Sequence, residues 1–215
     1  MIGPDELLTT TRAVRRRLDL DRDVPQALVD ECLRIAQQAP TGGNRRIARF
    51  VVVRDAGLRR ELGRLYREGW RRYLAEGVGS GPPRRVPGRD REALAMQRRV
   101  AASARHLADA IDRVPVHVIP CVTPRTDGAD AVTQASVLGS VMPAVWSYML
   151  AARARGLGTA WTTIHLFEER AVAELLGIPD DHMQVALIPT AFHTGARFSP
   201  APRPPLDEFR SVDGW

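Results

Sequence analysis

Thr41 and Asn44 flank a pair of glycines directly after Pro40, and this turn joins an apolar-periodic helix to the apolar strand Phe50–Val53. Proline stops the helix, expected to end at Ala39. The two glycines allow positive φ and close backbone approach, while Thr41 and Asn44 add hydrogen-bonding groups. Such a turn suits a planar molecule with polar edges. Turns of this composition also end helices where no ligand binds, so taken alone it leaves a purely structural role open.

Other chemistries are limited by what the chain lacks. All 31 of its Lys+Arg residues are arginine, which excludes a Walker A lysine, a lysine Schiff base and a serine-lysine dyad. The formal charge of +6 favours anionic ligands such as phosphates. His106, His117, His165, His182 and His193 fall at no metal-ligand spacing and have no cysteine companion, so no zinc site is expected. Gly77-Val78-Gly79-Ser80-Gly81 has a dinucleotide-loop look, but it follows no apolar strand and runs into Pro82-Pro83. There is no G-x-S-x-G elbow, and Asp180-Asp181 reads as a turn or helix cap. Finger spacing and aromatic interleaving are missing, so no nucleic-acid partner is expected. No apolar run looks long enough for a membrane and no signal-peptide pattern opens the chain, which gives the expectation of a cytoplasmic protein. Cys32 and Cys121 read as buried reduced thiols.

The elements that must position these residues follow from periodicity. A first helix is expected from Pro4 to about Arg17, and Asp23 is placed to cap a second that opens with Val24-Pro25 and carries Leu28, Cys32, Ile35, Ala36 and Ala39 on its apolar face. Leu58, Leu62, Leu65, Tyr66 and Trp70 mark a third helix. Residues 76–92, rich in glycine, proline and arginine, read as a mobile surface loop. A fourth helix is expected over 90–111 and a buried strand over 114–122. The next helix, from about Thr133 to Arg155, carries Val137, Val141, Ala144, Val145, Tyr148, Met149 and Ala152 over more than one face. It should therefore be covered on several sides, and Pro143 should bend or break it. Strands over 159–164 and 184–192 enclose a short helix, 168–176, closed by Gly177; residues 195–215 form an extended C-terminal arm. Helices with few strands and no regular alternation indicate an α+β sandwich within one domain, 1–215.

Read in order, several segments resemble the FMN-dependent nitroreductase family. They are Thr9-Thr10-Thr11-Arg12-Ala13-Val14-Arg15-Arg16-Arg17-Leu18, then Val24-Pro25, the Pro40–Asn44 turn and its Val-rich strand. Late in the chain come Ala154-Arg155-Gly156-Leu157-Gly158-Thr159-Ala160-Trp161, Leu175-Leu176-Gly177-Ile178-Pro179, and Arg203 ahead of Pro205-Leu206-Asp207-Glu208. The resemblance spans nearly the whole chain. It implies a three-layer sandwich with a mixed central sheet flanked by helices, an intertwined homodimer whose C-terminal arm adds to the partner, and FMN at the subunit interface.

The same resemblance assigns candidate cofactor residues. Arg12 and Arg15, three apart and so on one side of a helical turn, would address the FMN phosphate, with Arg203 as the matching cation of the arm. Ala13 stands where many relatives have serine and leaves only its backbone N–H. Pro40, Thr41, Gly42 and Asn44 match the turn that approaches the flavin and ribityl chain. Trp161, Thr162 and Thr163 match the segment along the isoalloxazine ring, where donors near N5 set its potential; Trp161 reads equally as a core aromatic. The chain departs from the family at Arg46, where relatives have glutamine, and at Ala48, where they have tryptophan. Arg46 can face the flavin or turn outward.

The implied activity is hydride transfer from NADH or NADPH through flavin N5 to a small-molecule electron acceptor, a nitroaromatic, quinone or activated alkene, in ping-pong order. A specialised FMN-dependent dehydrogenase or ene-type reductase of a biosynthetic pathway, and a flavin-binding dimer without turnover, are the alternatives. No metal and no membrane partner are implied.

Overall fold

The computed structural model describes residues 2–76, 90–195 and 197–215, without the side chains of residues 90–93. Of the expected 76–92 loop, residues 77–89 with the glycine run lie outside the described residues, whereas Glu76 and residues 90–92 are helical. Five strands form the central sheet: β1 (Ala48–Val53), β2 (Val116–Val122), β3 (Leu157–Thr159), β4 (Met183–Gln184) and β5 (Ile188–Phe192). Along one side of β2 runs β1; β4 and β5 take its other side, and β3 closes the far edge against β5.

Alternation along β2 creates two cores, because successive side chains point to opposite faces. Val116, Val118 and Val122 pack with Val29, Cys32 and Ala36 of α2 (Gln26–Ala36) and with Val141, Val145 and Tyr148 of α5 (Ala131–Ala154). Ile119 and Cys121 face the other way, toward Leu62 and Leu65 of α3 (Ala56–Glu76), Leu107 of α4 (Asp90–Ala110) and Val172 of α6 (Glu169–Leu176). The fold is therefore α+β, with a central sheet flanked by helices on both faces.

The expected mixed sheet is antiparallel at every pairing among the described residues. Strands β2 and β3, joined through the single helix α5, do run in the same direction. They are not neighbours, because β5 lies between them and opposes both.

Helix α5 buries all seven residues expected of it, with Ser140 and Ala151 besides. It continues unbroken through Pro143. Contrary to the sequence expectation, its 24 residues are long and apolar enough by composition to cross a membrane. Its packing against α2 and the sheet identifies it as a core helix.

Several other expectations are corrected. Helix α1 is only Pro4–Thr10; the hydroxyls of Thr9, Thr10 and Thr11 donate to carbonyls one turn back, each at 2.6 Å, and Thr11 turns extended. Asp23 does not cap α2, whose N-cap is Pro25; it pairs instead with Arg54 at 3.1 Å. Helix α2 stops at Ala36, after which Gln38 and Ala39 form tighter i→i+3 bonds, and Ile35 is exposed.

The strand expected over 159–164 begins and ends earlier. Leu157, Gly158, Thr159 and Thr162 keep one antiparallel register against Phe192, Ala191, Thr190 and Leu187, and the chain then curls into a 3-10 turn, Ile164–Glu168. The strand expected over 184–192 is divided, since an extra residue between Gln184 and Ile188 shifts the register against β2 and makes a bulge. Opposite that bulge sits Thr162, exchanging both backbone hydrogen bonds with Leu187, at 3.1 and 2.8 Å.

Candidate functional site

Two strips of backbone meet where the sheet ends at β3. Because α1 stops at Thr10, residues 11–15 run without helical structure, and the N–H of Val14 donates to the carbonyl of Thr159 at 2.7 Å. Arg12 and Arg15 thus do not share a helical face. Arg12 is exposed, whereas the half-buried Arg15 lines a cleft with Trp161, Thr162 and Thr163. Ala13 is exposed beside them.

This first cleft, about 700 Å³, lies between α3, α4 and the Trp161–Ile164 segment. Its size falls in the range of small-molecule and cofactor sites. Tyr66 of α3 reaches its floor and hydrogen-bonds the Thr162 hydroxyl at 2.8 Å; burial raises the Tyr66 phenol above its ordinary pKa. That bond fixes the Thr162 rotamer, and the same hydroxyl accepts from the N–H of Ile164 at 3.4 Å. Thr163 is exposed and Trp161 half-buried, packed against the α5-side core. Trp161 therefore serves the core and the cleft together.

One close contact holds the cleft's frame. A β-carbon on Gly69 would lie 2.4 Å from the carbonyl oxygen of Ile164, so α3 can sit on the 3-10 turn only without a side chain there. Within this turn His165 is fully buried, with neither ring nitrogen hydrogen-bonded among the described residues. Desolvation pushes its pKa down to about 3, so the imidazole is neutral at ordinary pH.

The second cleft gathers the turn residues. Thr41, Asn44 and Arg46 line it together with Arg34, Arg45 and Arg49, and it shares no lining residue with the first. Gly43 and Asn44 take the positive φ values, 62° and 52°. Gly42 donates its N–H to Ser140 of α5 at 3.0 Å, and a β-carbon at Gly42 would press on that same oxygen at 3.3 Å. Pro40 is exposed at the rim. Arg203 lies in the exposed arm, where it donates to the carbonyl of Pro202.

Arg15, Trp161, Thr162 and Thr163 thus line the first cleft and Thr41, Asn44 and Arg46 the second, while Pro40, Gly42, Arg12, Ala13 and Arg203 line neither. Sequence reading missed Ser140 and the hydroxyl role of Tyr66. Tyr66 carried only a helical-periodicity signal, and Ser140 none.

Comparison with known proteins gives the family and the fold. The Nitroreductase family matches residues 8–191. A BluB-like flavoprotein from Clostridium difficile 630 superposes with a TM-score of 0.70 at 15% identity, covering 100% of both chains. An FMN- and NADPH-dependent nitroreductase derived from Sphigopyxis sp. strain HMH gives a TM-score of 0.69 at 19% identity, covering 99% of this chain and 100% of that one. An oxidized iodotyrosine deiodinase, bound to FMN and 3-iodo-L-tyrosine, gives 0.66 at 22% identity, over 94% and 93% of the two chains. With a family match over most of its length and the same α+β architecture as these flavoproteins, the chain belongs to the nitroreductase family.

Proposed function

We propose that this chain is an FMN-dependent oxidoreductase that carries reducing equivalents from NADH or NADPH to a nitroaromatic, quinone or activated alkene, and that it works as a cytoplasmic homodimer. The observation that carries the reading is the convergence of Arg15, Trp161, Thr162 and Thr163 on one cleft of about 700 Å³. The donor set fits a flavin phosphate: a cation for its negative charge, an aromatic wall for its ring, and threonine hydroxyls for its polar edge. Bound there, FMN would supply two-electron chemistry at N5.

The protein's part is positioning. Tyr66 holds the Thr162 hydroxyl in one rotamer, Trp161 excludes water from one wall, and Arg15 offsets negative charge. His165, buried and not among the lining residues, is given no proton-transfer role, and solvent is the proton source in this reading. In this reading the Pro40–Arg46 turn of one copy completes the site of another, and Arg203 joins from the arm. The separateness of the two clefts within one chain supports that division.

Purified protein should be yellow, or become so with added FMN, and should bleach under anaerobic NADH or NADPH. Arg15→Ala should weaken FMN affinity by about tenfold or more, the worth of a charge-assisted hydrogen bond. Colourless protein that takes up no FMN would defeat the proposal.

A further inference from the structure

The first cleft extends well beyond the residues assigned to a flavin. On α3, Tyr66, Trp70, Tyr73 and Leu74 share one face; on α4, Met96, Val100 and Ala104 face them at helical spacing. Trp70 stacks on Tyr73 with ring centroids 5.5 Å apart, and Tyr73 meets the edge of Phe167 at 6.5 Å. Leu74 and Val100 stay 60% and 50% exposed, an apolar pair left facing solvent across the cleft mouth. Among the described lining residues no carboxylate occurs, and Arg15 is the one charged group.

We infer that this aromatic shelf is an acceptor subsite for fused-ring aromatic compounds, neutral or anionic; its redox role rests on the function proposed above. From Tyr66 to Tyr73 the helix advances about 10 Å, at about 1.5 Å per residue. That wall is longer than one six-membered ring, so a fused-ring compound covers more of Trp70, Tyr73, Leu74 and Val100 than a single ring does, and the apolar side chains gain by leaving water. A cationic ring is disfavoured, because Arg15 repels it and no carboxylate lines the cleft among the described residues. For a quinone the balance is quinone + NAD(P)H + H⁺ → hydroquinone + NAD(P)⁺. The nicotinamide C4–H bond breaks as hydride, two electrons pass to the quinone, and its carbonyl oxygens end as hydroxyls with one proton from water.

The test uses Leu74→Ser and Val100→Ser, both at exposed positions where folding is readily checked by a melt. Calorimetry with naphthalene-2-sulfonate and benzenesulfonate reports binding without turnover, and kcat/KM for menadione against 1,4-benzoquinone reports the redox arm in FMN-loaded protein. Wild type should prefer the two-ring member of each pair, and either variant should cut that preference about fivefold, the effect of losing one half-buried aliphatic contact. Equal binding of the two sulfonates by wild type, or variants with the preference intact, overturns the subsite. So does a variant that shifts the sedimentation coefficient without touching sulfonate affinity, which would mean that a second copy covers the stripe. If neither quinone is reduced while the sulfonate preference persists and falls in the variants, the redox reading fails and the subsite stands.

Discussion

Gly158 lies directly under Val14: a β-carbon at position 158 would sit 2.8 Å from the Val14 Cγ1 and 3.1 Å from Leu18 Cδ2. This contact brings the strip that carries Arg15 down onto β3, next to Trp161. Gly158→Ala should push the strip away, at a cost of about 1–3 kcal/mol for overpacking, read as a lower denaturation midpoint with an unchanged m-value. FMN affinity should fall with it, and wild-type stability in the variant would show that the strip has room to move.

The Tyr66–Thr162 hydrogen bond links α3 to the cleft floor. Tyr66→Phe keeps the ring and removes the hydroxyl, leaving the Thr162 oxygen without that partner. A loss of about 1 kcal/mol is expected by urea titration. A shift of the flavin absorbance band in the same variant would report the freed Thr162 rotamer; an unchanged spectrum would separate Thr162 from the flavin edge.

Acid sensitivity should come from two buried imidazoles. Desolvation lowers His117 to about 4 and His165 to about 3, against an ordinary value of 6.5. Below pH 6.5 the unfolded chain takes up protons that the folded chain refuses, so stability present above that pH is lost as pH falls toward 4. Each histidine contributes a slope of up to about 1.4 kcal/mol per pH unit in that window. Thermal melts from pH 7 to 4 should show it, and His165→Asn or His117→Asn should flatten the profile; a flat wild-type profile contradicts the assignment.

Arg125 ties the segment before α5 to α6, with two 2.8 Å bonds to Glu169 and a further pair to Asp127. The Arg125 and Glu169 side chains are 16% and 15% exposed, so Arg125→Ala leaves a largely buried carboxylate without its counter-charge, held by the Gln184 N–H at 3.1 Å. A loss of about 3 kcal/mol is expected in chemical denaturation. Arg64, paired with Glu61 and Glu68 on the open face of α3, provides the contrast: Arg64→Ala should change stability little.

The sequence settled the features that depend on local pattern. The burial of α5 was legible because apolar residues recur on several faces of one helix, and the burial of β2 because its run of Val, Ile and Cys is bounded by prolines. Gly177 closing α6 in a left-handed conformation follows from a glycine after the last periodic residue. The Pro40–Asn44 turn was located correctly, although its positive φ values fall on Gly43 and Asn44 rather than on the two glycines.

Tertiary structure alone decided what shares a cleft with what. No local pattern tells that Thr162 faces a bulge between Gln184 and Ile188, since that register belongs to a strand more than twenty residues away. Nor does spacing tell Arg12 from Arg15: two arginines three apart look alike until the threonine run ends α1 early and one of them is turned toward Trp161. Periodicity reports which side of an element is apolar, because burial is a property of faces. Which side chains meet is fixed by long-range packing, in contacts such as Gly158 under Val14 and Gly69 under Ile164, where the absence of a side chain is the signal.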